Sequence, residues 1–146
     1  MDILNKPFLG IDENGQEKEF LLSELKEPLV LYFYPKDNTP GCTQEACDFR
    51  DNYNRLTAKA TVVGVSPDSI ASHKKFQNKY SLNFVLLSDP EYILCKEFKV
   101  WQEKEMYGKV YMGIERSTFI IKGGEIVKEW RKVSVKGHVD EVLQSL

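Results

Sequence analysis

Two cysteines five residues apart, Cys42 and Cys47, follow the segment Tyr34-Pro-Lys-Asp-Asn-Thr-Pro-Gly. Thr39 is a natural N-cap and Pro40 suits the first helical position, where a missing N–H costs nothing. Cys42 then falls in the first turn of a helix, where unpaired N–H groups and the positive end of the helix dipole favour a thiolate. A thiolate so placed can act as a nucleophile, and a nearby second thiol can close a disulfide onto it. The same residues also suit an inert helix start in which Cys42 is a small buried hydrophobe. Spacing alone leaves both readings open.

The spacing carries a mechanical consequence. Five residues along an ideal helix give a rise of about 7.5 Å and a rotation of about 500°, placing the two Cα atoms roughly 8–9 Å apart. A disulfide needs Cα atoms about 4.4–6.8 Å apart. If Cys42 and Cys47 pair, the first turns of that helix must unwind. Ala46, Phe49, Tyr53, Leu56 and Ala60 form an apolar stripe over Thr43 to Ala60, and extending it back one turn reaches Cys42. The Cys42 sulfur is therefore expected to face partly inward, sheltered but reachable. Cys47 is expected on the flank, about 100° away.

The elements that hold this segment follow from the rest of the pattern. Leu29 to Tyr34 is a continuous apolar run between Pro28 and Pro35, which reads as a buried central strand. Asn14-Gly15 lies between the patches Phe8 to Ile11 and Phe20 to Leu22 and predicts a hairpin turn. Thr61 to Val65 and Asn83 to Leu87 read as further strands. Ser69 to Tyr80 reads as a helix capped by Ser69, with Phe76 and Tyr80 paired at i, i+4, and Glu91 to Phe98 as a short helix. Thr118 to Ile121, Gly123-Gly124 and Ile126 to Trp130 predict a second hairpin, and Gly137 to Leu146 a closing helix with Val139, Val142, Leu143 and Leu146 inward. Strands alternating with helices, then a hairpin and a helix, predict an α/β sandwich with a central mixed sheet flanked by helices, plus an N-terminal β-hairpin. A thioredoxin-like architecture suits that order. The cysteine segment would leave the carboxyl end of the central strand, where α/β folds favour ligand sites.

Composition narrows the function classes. The chain has 146 residues, 42% hydrophobic, and shows no internal repeat or linker, which predicts one domain spanning 1–146. Twenty Lys plus Arg against 22 Asp plus Glu leave a net charge of −2, which offers no field for nucleic acid or an anionic membrane. The longest apolar run has six residues, against the ~20 of a membrane helix. The start, MDILNKPFLG, lacks the basic and apolar regions of an export signal, so a reducing cytoplasm is the expected setting. Three cysteines are too few, and odd in number, for a disulfide framework. His73 and His138 are too few and too scattered, with cysteines at the wrong spacing, for a zinc site. Phe33, Tyr34 and Trp101 are expected as core or pocket-wall aromatics, and Met106 and Met112 as packing residues.

Beyond these patterns, VLYFYPKDNTPGCTQEACDFRD resembles the active-site signature of peroxiredoxins, specifically the bacterioferritin-comigratory-protein or Q-type branch. Its Pro-x-x-x-Thr-x-x-Cys pattern is matched by Pro35, Thr39 and Cys42. The similarity continues through residues 62–80, 84–91 and 107–121 and at Gly137-His138. The resemblance implies a thioredoxin-fold peroxidase that reduces hydrogen peroxide and organic hydroperoxides without metal or bound cofactor. It implies Cys42 as the peroxidatic cysteine, Thr39 as a hydrogen-bonding partner near its sulfur and the peroxide, Pro35 as a shield and Arg116 as the thiolate-stabilising arginine. Cys47 matches the resolving cysteine of many members of the branch. The resemblance further implies an intramolecular disulfide recycled by thioredoxin, and such a bond needs no partner subunit, which favours a monomer.

Other readings make different demands. A thioredoxin-like disulfide oxidoreductase resembles its relatives through a Cys-x-x-Cys pair facing a cis-proline. Here the two cysteines are separated by four residues and no proline follows Pro90. A peroxide-sensing redox or binding protein would oxidise Cys42 stoichiometrically without turnover. A structural domain would leave it inert. Cys95 reads as a buried inert thiol in a short helix, with a smaller share as an alternative partner of Cys42.

Overall fold

A strand with no polar side must be covered on both faces. The computed structural model, which describes all 146 residues, buries β3 (Leu29–Phe33) along its whole length at the centre of a sheet. Its parallel neighbour is β4 (Thr61–Ser66), and β4 pairs in parallel with β5 (Val85–Ser88). Parallel pairs require crossovers. These are α1 (Pro40–Asp51) with the short α2 (Tyr53–Thr57), and α3 (Ile70–Tyr80). The expected N-terminal hairpin, β1 (Pro7–Ile11) and β2 (Glu17–Leu21), joins the sheet antiparallel to β5. On the other side of β3 lie the antiparallel β8 (Ser117–Lys122) and β9 (Glu125–Trp130). The seven strands run β2-β1-β5-β4-β3-β8-β9. The chain closes with α5 (His138–Gln144).

Alternation along each strand divides the core in two. Leu29, Leu31 and Phe33 join one cluster with Phe98, Phe119 and the short α4 (Ile93–Glu97). Val30, Tyr32 and Tyr34 join the other, with Cys42, Ala46 and Phe49 of α1, Phe76 of α3 and Val139, Val142 and Leu143 of α5. The sheet separates them. The expected α/β sandwich with a mixed sheet flanked by helices is therefore present.

The fold departs from the sequence reading in several places. The helix expected from Thr43 to Ala60 starts at Pro40 and breaks at Asn52, whose φ of −101° and ψ of 14° leave the helical region. The Asn52 amide donates to the Asp48 carbonyl at 2.8 Å, a side-chain bond that competes with the helix ladder, and Tyr53 ends half-buried. A separate two-stranded ribbon, β6 (Trp101–Met106) and β7 (Lys109–Ile114), went unread in the sequence. It turns through Tyr107 and Gly108, both left-handed (φ 53° and 77°), as a two-residue hairpin prefers. Met106 and Met112 lie on this ribbon and are exposed, so they are not packing residues. Leu146 is only partly buried.

Candidate active site

The carboxyl end of β3 runs directly into the cysteine-bearing helix. Tyr34 extends the strand by one bond, its N–H donating to Val65 O at 3.0 Å. Thr39 occupies the N-cap position with extended backbone (φ −102°, ψ 157°), and its carbonyl accepts from the Thr43 N–H at 2.8 Å. Its hydroxyl does not cap the helix. It turns back and donates to Lys36 O at 2.9 Å. Pro35 is half-buried at the start of the loop, and Pro40 opens α1 as expected.

Cys42 lies in the first turn of α1, only 2% exposed. Its sulfur accepts a hydrogen bond from Arg116 Nη2 at 3.3 Å. Arg116 precedes β8, and its backbone is held where Val133 N–H donates to its carbonyl at 2.9 Å. The same guanidinium donates through Nη1 to Glu45 Oε1 at 2.7 Å. Burial opposes charge on Arg116, but Glu45 and Cys42 outweigh it and hold the guanidinium more firmly protonated than an ordinary arginine. A planar fork that reaches two partners through separate nitrogens is a role lysine cannot copy. Gly41 makes room for it, because a Cβ there would lie 3.2 Å from Nη2.

Glu45 was absent from the sequence reading. It is fully buried, and its second oxygen has no hydrogen-bond partner. Burial, partly offset by Arg116, pushes its carboxyl from 4.5 up to about 7. The signal was present in the spacing: Glu45 lies three residues after Cys42, so a charged residue stands on the apolar stripe of α1 and needs a buried partner.

Cys47 lies in the same intact helix and is partly exposed, as expected of a flank position. Burial, with Asp51 and Asp48 nearby, pushes its thiol up against the opposing pull of Arg50. It borders a cavity of about 400 Å³ with Thr39, Thr43, Asn38, Lys79 and Tyr80. Cys95 is fully buried in α4 and belongs to the cluster on the opposite face of the sheet from Cys42. Burial, reinforced by Asp89, pushes its thiol far above the ordinary range. Cys42 and Cys95 thus lie on opposite faces of the sheet, and pairing them would require one to leave its cluster.

A loop network completes the site. Asp37 Oδ1 accepts from the Tyr34 hydroxyl at 2.6 Å, and Oδ2 accepts from Ser72 Oγ at 2.8 Å and lies 2.7 Å from His73 Nδ1. His73 Nε2 lies 2.8 Å from Leu87 O. Burial, reinforced by Asp37, pushes the Tyr34 hydroxyl well above its ordinary range, so it remains a donor.

A mixed sheet of this order, with a helix-start cysteine held beneath a guanidinium at the end of its central strand, defines a class: thioredoxin-like proteins that carry out thiol chemistry on a small substrate. The chain belongs to the AhpC/TSA family, which matches residues 6–130, and within it to the Bcp or Q-type peroxiredoxins. It is 58% identical to peroxiredoxin Bcp of Bacillus subtilis over 120 residues, 81% of this chain and 76% of that one. It superposes on a variant of Xanthomonas campestris peroxiredoxin Q with a TM-score of 0.90 at 41% identity, covering 98% of this chain and 90% of that one. A second Xanthomonas campestris structure, of a bacterioferritin comigratory protein studied for alkyl peroxide reduction, gives a TM-score of 0.88 at 41% identity with the same coverage. The chain is accordingly a thiol-dependent peroxidase, an oxidoreductase. No helix is long and apolar enough to cross a membrane.

Proposed function

We propose that Cys42 is the attacking thiolate for hydrogen peroxide and organic hydroperoxides, that Cys47 resolves it, and that thioredoxin recycles the pair in a monomer within a reducing cytoplasm. The observation that carries this reading is the 3.3 Å bond from Arg116 Nη2 to Cys42 Sγ at the start of α1. A fixed cation there favours the charged sulfur and offers a donor to a peroxide oxygen. The thiolate attacks one oxygen of ROOH, the O–O bond breaks, and RO⁻ leaves and takes a proton to become ROH. Cys42 is left as a sulfenic acid. Cys47 then attacks that sulfur, giving the disulfide and one water. A dithiol reductant returns both thiols by exchange.

Thr39 and Pro35 close the approach to the sulfur. The Thr39 hydroxyl reaches Cys42 or a bound peroxide by leaving Lys36 O, a rotation that its half-buried position permits. The raised thiol of Cys47 suits its place as the second nucleophile, since it stays protonated while α1 is folded. The alkyl peroxide activity of the Xanthomonas relative supports organic hydroperoxides as substrates.

The test is peptide mapping by mass after one equivalent of hydrogen peroxide, on wild type, Cys47→Ser and Cys95→Ser. A 2 Da loss confined to Cys42 and Cys47, retained in Cys95→Ser and replaced by sulfenic acid at Cys42 in Cys47→Ser, is the expected result. Failure of Cys42 to oxidise, or one oxidation without turnover on added thioredoxin, would sink the cycle.

A further inference from the structure

The loop that carries the site is fastened to α3 at two adjacent residues, and the two fastenings differ in kind. Asp37 is buried, and its carboxylate is held by three side chains at 2.6–2.8 Å: Tyr34, Ser72 and His73. Its N–H also donates to Asp68 Oδ2 at 2.7 Å. His73 is fully buried and braced on its other nitrogen by Leu87 O, which ties the loop through α3 to β5. The next residue, Asn38, is exposed and takes a left-handed backbone (φ 58°). Its Oδ1 accepts from the Tyr80 hydroxyl at 2.9 Å and from Lys79 Nζ at 3.4 Å, both near solvent. Asparagine tolerates this backbone, and the two side-chain contacts fix which way it points. Cys47 faces the cavity that these Asn38 contacts border.

The pairing of Cys42 with Cys47 requires the first turns of α1 to open, and this chain has a limited stretch in which that can happen. Phe49 is fully buried and stacks on Tyr32 at a centroid distance of 4.5 Å, which anchors the far end. The near end is Asp37. We propose that the Asp37–His73 clamp is the fixed end of the opening segment and that the Tyr80–Asn38 hydrogen bond is its catch, so that Tyr80 is a positioning residue for disulfide formation. The inference rests on the reading that Cys47 resolves Cys42. With the catch closed, Asn38 aims the chain into Thr39 and Pro40 and the thiolate site is complete. With it released, residues beyond Asp37 swing and Cys42 reaches Cys47, condensing its sulfenic acid with the thiol and losing water. The catch therefore sets how long the sulfenic acid waits, and thus how often a second peroxide converts it to sulfinic acid.

The test is Tyr80→Phe, which keeps the ring against Phe76 and removes only the hydroxyl at the protein surface. Stopped-flow oxidation separates the peroxide-dependent step from the peroxide-independent closure, and mass spectrometry counts sulfinic acid at excess peroxide. The loss of one net hydrogen bond from the folded state speeds closure roughly 2- to 10-fold and lowers the sulfinic fraction correspondingly, with the bimolecular step unchanged. Asp37→Asn, which weakens the fixed end, slows the bimolecular step and does not speed closure. A Tyr80→Phe protein that closes at the wild-type rate, or that changes both steps alike, overturns the catch. So does Asp37→Asn speeding closure more than Tyr80→Phe. Absence of any Cys42–Cys47 bond in the wild type removes the resolving role itself and the catch with it, so the two failures are distinguishable.

Discussion

Arg116→Met removes two interactions at once, and they can be separated by pH. One is the donor 3.3 Å from Cys42 Sγ, the other the cation 2.7 Å from Glu45. Breaking a buried ion pair by deleting one partner costs roughly 3–5 kcal/mol, because the remaining charge is uncompensated. Glu45 can escape that cost by taking a proton. Its carboxyl already titrates near 7 because burial outweighs the pull of Arg116, and without that pull it titrates higher. A carboxyl raised above its unfolded value of 4.5 contributes stability that is present at low pH and lost as pH rises through the folded value. Arg116→Met should therefore melt roughly 10 °C below wild type at pH 8, at about 2–4 °C per kcal/mol, and much closer to it at pH 5.5. Arg116→Met with Glu45→Gln leaves no buried charge, so its melting point should recover at pH 8 and lose that pH dependence. Peroxide reactivity should not recover. Losing a charge-assisted bond to the sulfur, worth about 1.5–3 kcal/mol, slows thiol oxidation roughly 10- to 150-fold in both variants. Calorimetry at the two pH values and stopped-flow oxidation read these quantities. A single variant that melts alike at both pH values, or a double variant that regains peroxide reactivity, refutes the reasoning.

Gly41→Ala should place a methyl 3.2 Å from Arg116 Nη2 without backbone strain, displacing the guanidinium from the sulfur. Stopped-flow oxidation should slow several-fold while the melting point hardly moves. His138 is buried, with Nε2 2.8 Å from Thr118 Oγ1, and burial, with Arg116 nearby, lowers its value from 6.5 to about 4. A histidine so depressed contributes stability that is present above 6.5 and lost as pH falls toward 4. Urea unfolding of His138→Gln against wild type at pH 7.5, 5.5 and 4.5 should show a difference that shrinks or reverses as pH falls. Using that difference cancels the opposite trend of Glu45.

The central strand, the cysteine-bearing helix start, the Ser69 cap and both sheet hairpins were legible because each rests on a local signal. Leu29 to Phe33 has no polar residue, Pro40 marks a helix entrance, and the Ser69 hydroxyl takes the Ser72 N–H as a cap should. What escaped depended on contacts between distant residues. Glu45 looks like an ordinary helix glutamate until Arg116, 71 residues away, comes beside it. The break at Asn52 is set by a side chain competing with the helix ladder, which the stripe through Tyr53 cannot reveal. The β6–β7 ribbon has charged residues where a half-buried strand would alternate, because most of it faces solvent. The Thr39 position was readable and its hydroxyl's direction was not, since Lys36 O competes for it.

The two-sided core has a consequence for wear. On the buried side of α1, the turns that pairing of Cys42 with Cys47 would open carry only Cys42, Glu45 and Ala46, and the first bulky ring is Phe49. Uncovering the two small apolar side chains forfeits on the order of 2 kcal/mol of burial, while Glu45 regains water. Phe49 stays stacked on Tyr32, and the entire opposite cluster, Cys95 included, lies behind the sheet. Water admitted by such an opening would meet the stacked rings of Phe49 and Tyr32, with the opposite cluster shielded by the sheet.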